Sequence, residues 1–114
     1  MNRIIEFFLP EGEFDVPDAI IDVFHNVLDP IAPNWWAEWE TVDLNDYYHD
    51  RGDIIARVWL DKHDYDKHYQ SDFVIYVGYW ADAPSKMKGR WHYYYSAQET
   101  EKDLKRKLKE VETA

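Results

Sequence analysis

Three segments in the second half of the chain place apolar residues at every second position, which is the spacing of a β-strand with one buried face. They span residues 54–60, 72–80 and 90–95. Short connections between consecutive strands favour antiparallel pairing, and an antiparallel sheet can leave one face partly exposed to water. These segments therefore predict an antiparallel meander, against which the rest of the chain has to pack.

The alternation also predicts which side chains share a face of the meander. In the first segment, the inward set is Ile54, Ala56, Val58 and Leu60, and the outward set is Ile55, Arg57 and Trp59. In the second, one set is Phe73, Ile75, Val77 and Tyr79, and the other is Val74, Tyr76 and Trp80. In the third, the side chains on one side are Trp91, Tyr93 and Tyr95.

The first half of the chain adds one strand and one helix. Residues 2–9 indicate a largely buried strand that a proline ends. Asp15 can cap the following helix, which has Pro17 in its first turn and stops near Leu28. Its apolar stripe consists of Val16, Ala19, Ile20, Val23, Val27 and Leu28. We expect Val23 and Val27 to face the sheet.

Two further elements complete the predicted order. A strand from about Trp36 to Leu44 leads into a hairpin turn at residues 50–52. The last helix begins at Ser96, with Glu99 placed three residues later as in a capping box. The order β-α-β-β-β-β-α predicts an α+β fold, with two helices packed on one face of an antiparallel sheet of four to five strands. We expect residues 1–114 to form a single compact domain.

Composition limits the kind of protein that this can be. The chain has 46% hydrophobic residues, which is too many for a disordered protein, and it contains no cysteine for a disulfide or a thiolate metal site. Its apolar runs are too short for a signal peptide or a membrane span. We therefore expect a cytoplasmic protein that does not bind membranes.

Charge is distributed unevenly along the chain. Residues 1–53 carry 13 acidic and 2 basic side chains, whereas the formal net charge of the whole chain is −10. A negative field of this kind repels nucleic acid and attracts basic partners. It therefore argues against direct nucleic-acid binding, although Lys86, Lys88 and Arg90 precede an aromatic run that resembles a base-stacking platform.

Catalytic motifs are absent from the sequence. No serine lies in a nucleophile elbow, and the glycines are too scattered for a phosphate-binding loop. The local pattern closest to a metal site is the set His63, Asp64, Asp66 and His68, which offers imidazole and carboxylate ligands. We interpret this segment as a solvated strand connection and predict no enzyme activity, cofactor or metal. A small metal-dependent enzyme or ligand-binding domain that uses this loop is the alternative.

Aromatic and acidic residues alternate most densely in residues 33–53. Exposed tryptophan and tyrosine next to carboxylates is typical of a surface that docks on a basic protein. The predicted partner-binding residues are Trp35, Trp36, Glu38, Trp39, Glu40, Asp43, Asp46, Tyr47, Tyr48 and Asp50. The expected partner is a basic surface on a nucleic-acid-processing enzyme, bound by a monomer or homodimer. In surface chemistry, this is analogous to anti-restriction, anti-CRISPR and immunity proteins.

Overall fold

The computed structural model describes residues 3–45 and 49–113 and confirms the predicted α+β fold. The elements of these ranges are β1 (Ile4–Pro10), α1 (Asp18–Leu28), β2 (Trp36–Asp43), β3 (Arg51–Trp59), α2 (Lys62–Asp66), β4 (Phe73–Asp82), β5 (Arg90–Ser96) and α3 (Ala97–Thr113). The short helix α2 and a 3₁₀ turn at Ser85–Met87 are the departures from the predicted order. Within the described ranges, none of the helices has the length and apolarity that crossing a membrane requires.

All five strands form one antiparallel sheet in the order β1-β5-β4-β3-β2. Strands β2 to β5 make a meander, because each pairs with the next along the chain. The predicted hairpin turn at residues 50–52 is wrong, since β3 begins at Arg51 and Gly52 pairs with Asp43 inside the ladder. Strand β1 instead pairs with β5, so that its residues Ile4 and Pro10 lie opposite Ser96 and Arg90. Strands β1 and β2 are consequently the two edges of the sheet. Because β1 is an edge strand, its residues are half-buried or exposed, and the prediction of a largely buried strand is wrong.

One face of the sheet, here called the covered face, packs against α1 and α3. The two helices and the sheet share one cluster of buried side chains. Its fully buried members with the largest side chains include Phe24 from α1, Leu104 from α3, and Tyr93 and Tyr95 from β5. The hydroxyl groups of both tyrosines donate to backbone carbonyl oxygens in the loop before α1, at Glu13 and Asp15. These bonds tie that loop to the centre of the sheet.

The buried stripe of α1 is rotated from the predicted one. Ile20, Phe24 and Leu28 are fully buried, whereas Val23 and Val27 lie at the border of the core. Both sets have helical spacing, so the pattern of apolar residues alone did not decide between them. Phe24 is buried because its ring reaches the aromatic side chains of the β2 segment, a contact that the sequence does not show.

The two predicted helix caps differ in outcome. Ser96 accepts a hydrogen bond from the Glu99 backbone N–H at 3.2 Å, which confirms the cap of α3. The predicted cap of α1 is wrong, since this helix begins at Asp18 after Pro17 and no side chain caps it. Asp15 instead contributes its carbonyl oxygen to the bond with Tyr95.

A β-bulge in β4 reverses the predicted faces of its second half. Ile54 pairs with Gly78 whereas Ile55 pairs with Tyr76, so one extra residue is inserted in β4. A Cβ atom on Gly78 would lie 2.1 Å from the Tyr94 carbonyl oxygen, which explains glycine at this position. Beyond the bulge, Trp80 turns into the core and Tyr79 turns to the other face.

Alkaline pH should destabilise the fold through Tyr95. Burial raises the pKa of Tyr95 well above its ordinary value of 10.0, and burial also raises that of Tyr93. The folded state therefore favours the protonated phenols, and the free energy of unfolding should fall as pH rises above about 10. Urea titrations between pH 8 and 11 measure this. The variant Y93F/Y95F should show a weaker dependence of the free energy of unfolding on pH. If that dependence is as steep as in the wild type, these two tyrosines are not its cause.

Candidate protein-binding surface

The sheet face opposite the covered face, here called the open face, carries aromatic and charged side chains. Its side chains, assigned from the strand register, are Ile4, Glu6 and Phe8 of β1, His92 and Tyr94 of β5, Val74, Tyr76 and Tyr79 of β4, Asp53, Ile55, Arg57 and Trp59 of β3, and Trp36, Glu38, Glu40 and Val42 of β2. Arg51 and Arg90 share this face at the first residues of β3 and β5. Among the described elements, α2 packs on one corner.

Tyrosine rings form the centre of the open face. Tyr79 stacks on Tyr94 with ring centroids 4.8 Å apart, and Tyr76 is 62% exposed. These three rings line a shallow depression of about 280 Å³. Its carboxylate side chains are Asp53, Glu99 and Asp103, and no basic residue is among its described lining residues. Aromatic faces and carboxylates both favour a cationic group, so the depression suits a lysine or arginine side chain.

Trp36 lies at the corner of the open face where β2 begins. Its ring is 37% exposed and packs on Tyr65 of α2 at a centroid distance of 5.4 Å. Tyr65 also contacts Trp59 edge-on at 4.9 Å, and the Lys62 ammonium lies over the Trp36 ring at 5.2 Å. Helix α2 therefore supports Trp36 from one side and leaves part of its ring in solvent.

Two of the predicted acidic residues lie beside Trp36 on the open face. Glu40 forms an ion pair with Arg57 at 2.7 Å, and both side chains are about two-fifths exposed. Glu38 accepts a hydrogen bond from the Tyr65 hydroxyl, and this carboxylate raises the pKa of Tyr65. The acidic row along β2 is thus held in place by neighbouring side chains while it remains accessible.

Trp35 and Trp39, the other two tryptophans of the predicted binding residues, lie on the opposite side of β2. Trp39 packs edge-on against Phe24 at 4.6 Å, and the Trp35 indole N–H donates to the Asp29 carboxylate at 2.7 Å. This bond, with help from His25, lowers the pKa of Asp29. Trp35 and Trp39 line a cleft of about 340 Å³ between α1 and β2, and Trp36 also contributes to its lining. Because side chains of a strand alternate between its two faces, the rings of Trp36 and Trp39 nevertheless lie on different faces of the sheet.

The remaining predicted residues are spread beyond this corner. Asp43 is exposed at the end of β2, on the covered side of the strand by its register. Asp50 is exposed just before β3, where its backbone N–H donates to the Asp82 carboxylate at 3.0 Å. Asp46, Tyr47 and Tyr48 lie outside the described residues. The structure thus brings Trp36, Glu38 and Glu40 together and places Trp35 and Trp39 in the neighbouring cleft.

The segment with His63, Asp64, Asp66 and His68 is the predicted solvated connection between two strands, but part of it forms a helical turn that the sequence analysis did not predict. Its first residues form the helical turn α2, which Asp61 caps by accepting the His63 backbone N–H at 2.9 Å. Asn34 donates to the same Asp61 carboxylate at 2.7 Å. Within the described ranges, no three histidine or carboxylate side chains are placed to hold a metal ion. The apolar ring of Tyr65, which was not among the predicted site residues, explains why this turn docks on the sheet.

Sequence reasoning also missed the tyrosines of the open face. Tyr76 and Tyr94 alternate with the buried residues of their strands, so their exposure could have been predicted from the periodicity. Tyr79 could not, because the bulge in β4 decides its face.

Comparison of the chain with models of protein families, with curated proteins and with solved structures finds no match. Function must therefore be inferred from the surface chemistry of the described residues.

Proposed function

We propose that this protein is a non-enzymatic binding protein whose open face docks on a basic protein surface. The observation that carries the proposal is the exposure of aromatic rings beside carboxylates on a sheet face that α1 and α3 leave free. Trp36, Tyr76 and Tyr79 are 37%, 62% and 43% exposed, respectively. Large exposed aromatic side chains contribute most of the binding energy in protein interfaces.

The carboxylates of the open face favour a basic partner. In the strands, Glu38 and Glu40 lie beside Arg57 at the β2 side of the open face, and Asp53 lies four residues before Arg57 on β3. Glu99 and Asp103 of α3 border the tyrosine depression. A basic partner surface would be attracted to this region, and its lysine or arginine side chains suit the depression. These carboxylates would repel the phosphates of nucleic acid, and the guanidinium of Arg57 beside them is already engaged by Glu40 at 2.7 Å.

Nucleic-acid-processing enzymes present the kind of basic surface that this region would recognise, because they bind phosphates. Occupying such a surface would block substrate access, so the proposed activity is inhibition of an anti-restriction, anti-CRISPR or immunity type. The analogy rests on surface chemistry alone.

Capture from a lysate of the source organism tests the proposal. We expect the immobilised protein to retain a basic nucleic-acid-binding protein at low salt and to release it as salt rises, because charge attraction is screened over about 10 Å at 0.1 M ionic strength. The matched control bait carries E38Q, E40Q and D53N and should retain less. Capture of an acidic partner that is insensitive to salt would overturn the proposal.

A further inference from the structure

Strand β2 is an edge of the sheet with an unusual exposure. It runs for eight residues, and among the described strands it has β3 as its only neighbour. Natural edge strands are usually protected from pairing by charged side chains, by proline, by a bulge or by a covering element. β2 contains no proline, its register with β3 is unbroken, and no described element pairs along its outer side. Its charged side chains, Glu38, Glu40 and Asp43, are all acidic, so they would disfavour an acidic strand but not a basic one. The other edge, β1, ends in Pro10.

The hydrogen-bond pattern shows which backbone groups of β2 point outward. The Leu44 N–H donates to the Arg51 carbonyl oxygen at 2.8 Å, which makes these two residues a hydrogen-bonded pair of the ladder. Such pairs alternate along an antiparallel ladder, so residues 42, 40, 38 and 36 also bond to β3. The N–H and C=O groups of Ala37, Trp39, Thr41 and Asp43 therefore point away from the sheet.

From this edge we infer that the protein binds an extended, basic segment of its partner, which adds to β2 as a sixth strand. The inference rests on the proposed function and specifies its binding mode. Side chains of the added strand would alternate between the two faces. Those on one side would meet Glu38 and Glu40, and those on the other would meet the cleft of Trp35 and Trp39. The segment should thus alternate basic and apolar residues.

The same charges argue against a second copy of this chain as the occupant. Two β2 strands that pair antiparallel through their outward groups overlap most in registers centred on Trp39 or on Glu40. The first register places Glu38 of each copy opposite Glu40 of the other, and the second places the two Glu40 side chains opposite each other. Like charges directly opposite in a ladder are destabilising. A strand with lysine or arginine at those positions would replace this repulsion by attraction.

A terminally blocked peptide of alternating lysine and valine is the probe, with binding followed by two-dimensional NMR of the full chain. We expect amide signals of Thr41 and its outward-pointing neighbours to shift and to gain protection from hydrogen exchange. Methylating the peptide nitrogens on the side that faces β2 should weaken binding by about tenfold or more, because each lost hydrogen bond contributes about 1 kcal/mol. A peptide of the same composition with its lysines and valines in separate blocks should bind more weakly as well.

The variant Thr41→Pro tests the same edge from the protein side, with Thr41→Ala as its matched control. Proline at residue 41 removes an outward N–H but no bond to β3, so the melting temperature should fall little while peptide affinity falls about tenfold. Equal binding of the parent and N-methylated peptides would overturn strand addition, as would dimerisation of the free protein through β2. If both peptides bind equally well and both are released as salt rises, only the strand mode fails. If binding is insensitive to salt, the acidic-surface proposal fails too.

Discussion

Replacing Phe24 by alanine should destabilise the protein by about 3–5 kcal/mol, as expected when a buried phenylalanine is truncated. Phe24 is fully buried, and its ring contacts Trp39 at 4.6 Å and Trp35 at 5.9 Å. The substitution leaves a cavity where α1 meets the β2 segment. Because small domains have a total stability of about 5–15 kcal/mol, we expect a large drop in the urea midpoint or outright unfolding.

Two neighbours of Phe24 provide matched controls. Asp22→Ala changes an exposed side chain of the same helix and should shift stability by no more than about 0.5 kcal/mol. Val23→Ala changes a residue at the border of the core and should cost clearly less than F24A. If V23A is more damaging than F24A, the assignment of Phe24 to the buried stripe of α1 is wrong.

Trp36→Ala should have the largest effect on binding of any single substitution on the open face. A tryptophan that anchors an interface loses about 2–4 kcal/mol of binding free energy on truncation. The loss of stability should be smaller than for F24A, because the Trp36 ring is already 37% exposed. Isothermal titration with the captured partner measures the loss of binding free energy, and urea unfolding of the free protein measures the loss of stability.

Ile31 offers the control for this experiment. It is 56% exposed and lies between α1 and β2, outside the open face. Ile31→Ala removes exposed apolar surface elsewhere and should leave affinity unchanged. If W36A and I31A weaken binding equally, or if W36A binds like the wild type, Trp36 is not an anchor of the interface.

Most of the fold could be predicted because the strands have strict alternation and the ends of the elements have turn or capping residues. Ile54, Ala56 and Val58 do lie in the core, and Ser96 does cap α3. Prediction failed where two sets of apolar residues have the same spacing and only tertiary contacts determine which set is buried. Phe24 and Val23 both have helical spacing, and the aromatic side chains around Trp39 decide that Phe24 is buried.

The candidate surface could be predicted only in part, for a related reason. The density of aromatic and acidic residues indicated the stretch of chain that contains Trp36, Glu38 and Glu40. Side chains of a strand alternate between its two faces, however, so Trp36 lies on a different face from Trp35 and Trp39. Long-range pairing then adds side chains that are distant in sequence, such as Tyr65 beside Trp36. The bulge in β4, which brings Tyr79 to the open face, depends on the close approach of Gly78 to the Tyr94 carbonyl. Local sequence patterns do not contain such contacts.

The association rate of the captured partner with a neutralised surface tests the central claim most directly. The variant E38Q/E40Q/D53N removes three carboxylates of the open face and should keep most of its stability, because the ion pair of Glu40 with Arg57 is exposed and exposed pairs contribute little. Stopped-flow measurements at increasing salt should show a rate at least about tenfold lower than that of the wild type at low salt, and a flatter salt dependence. A folded variant that associates at the full wild-type rate, with unchanged salt dependence, would contradict the acidic-surface account.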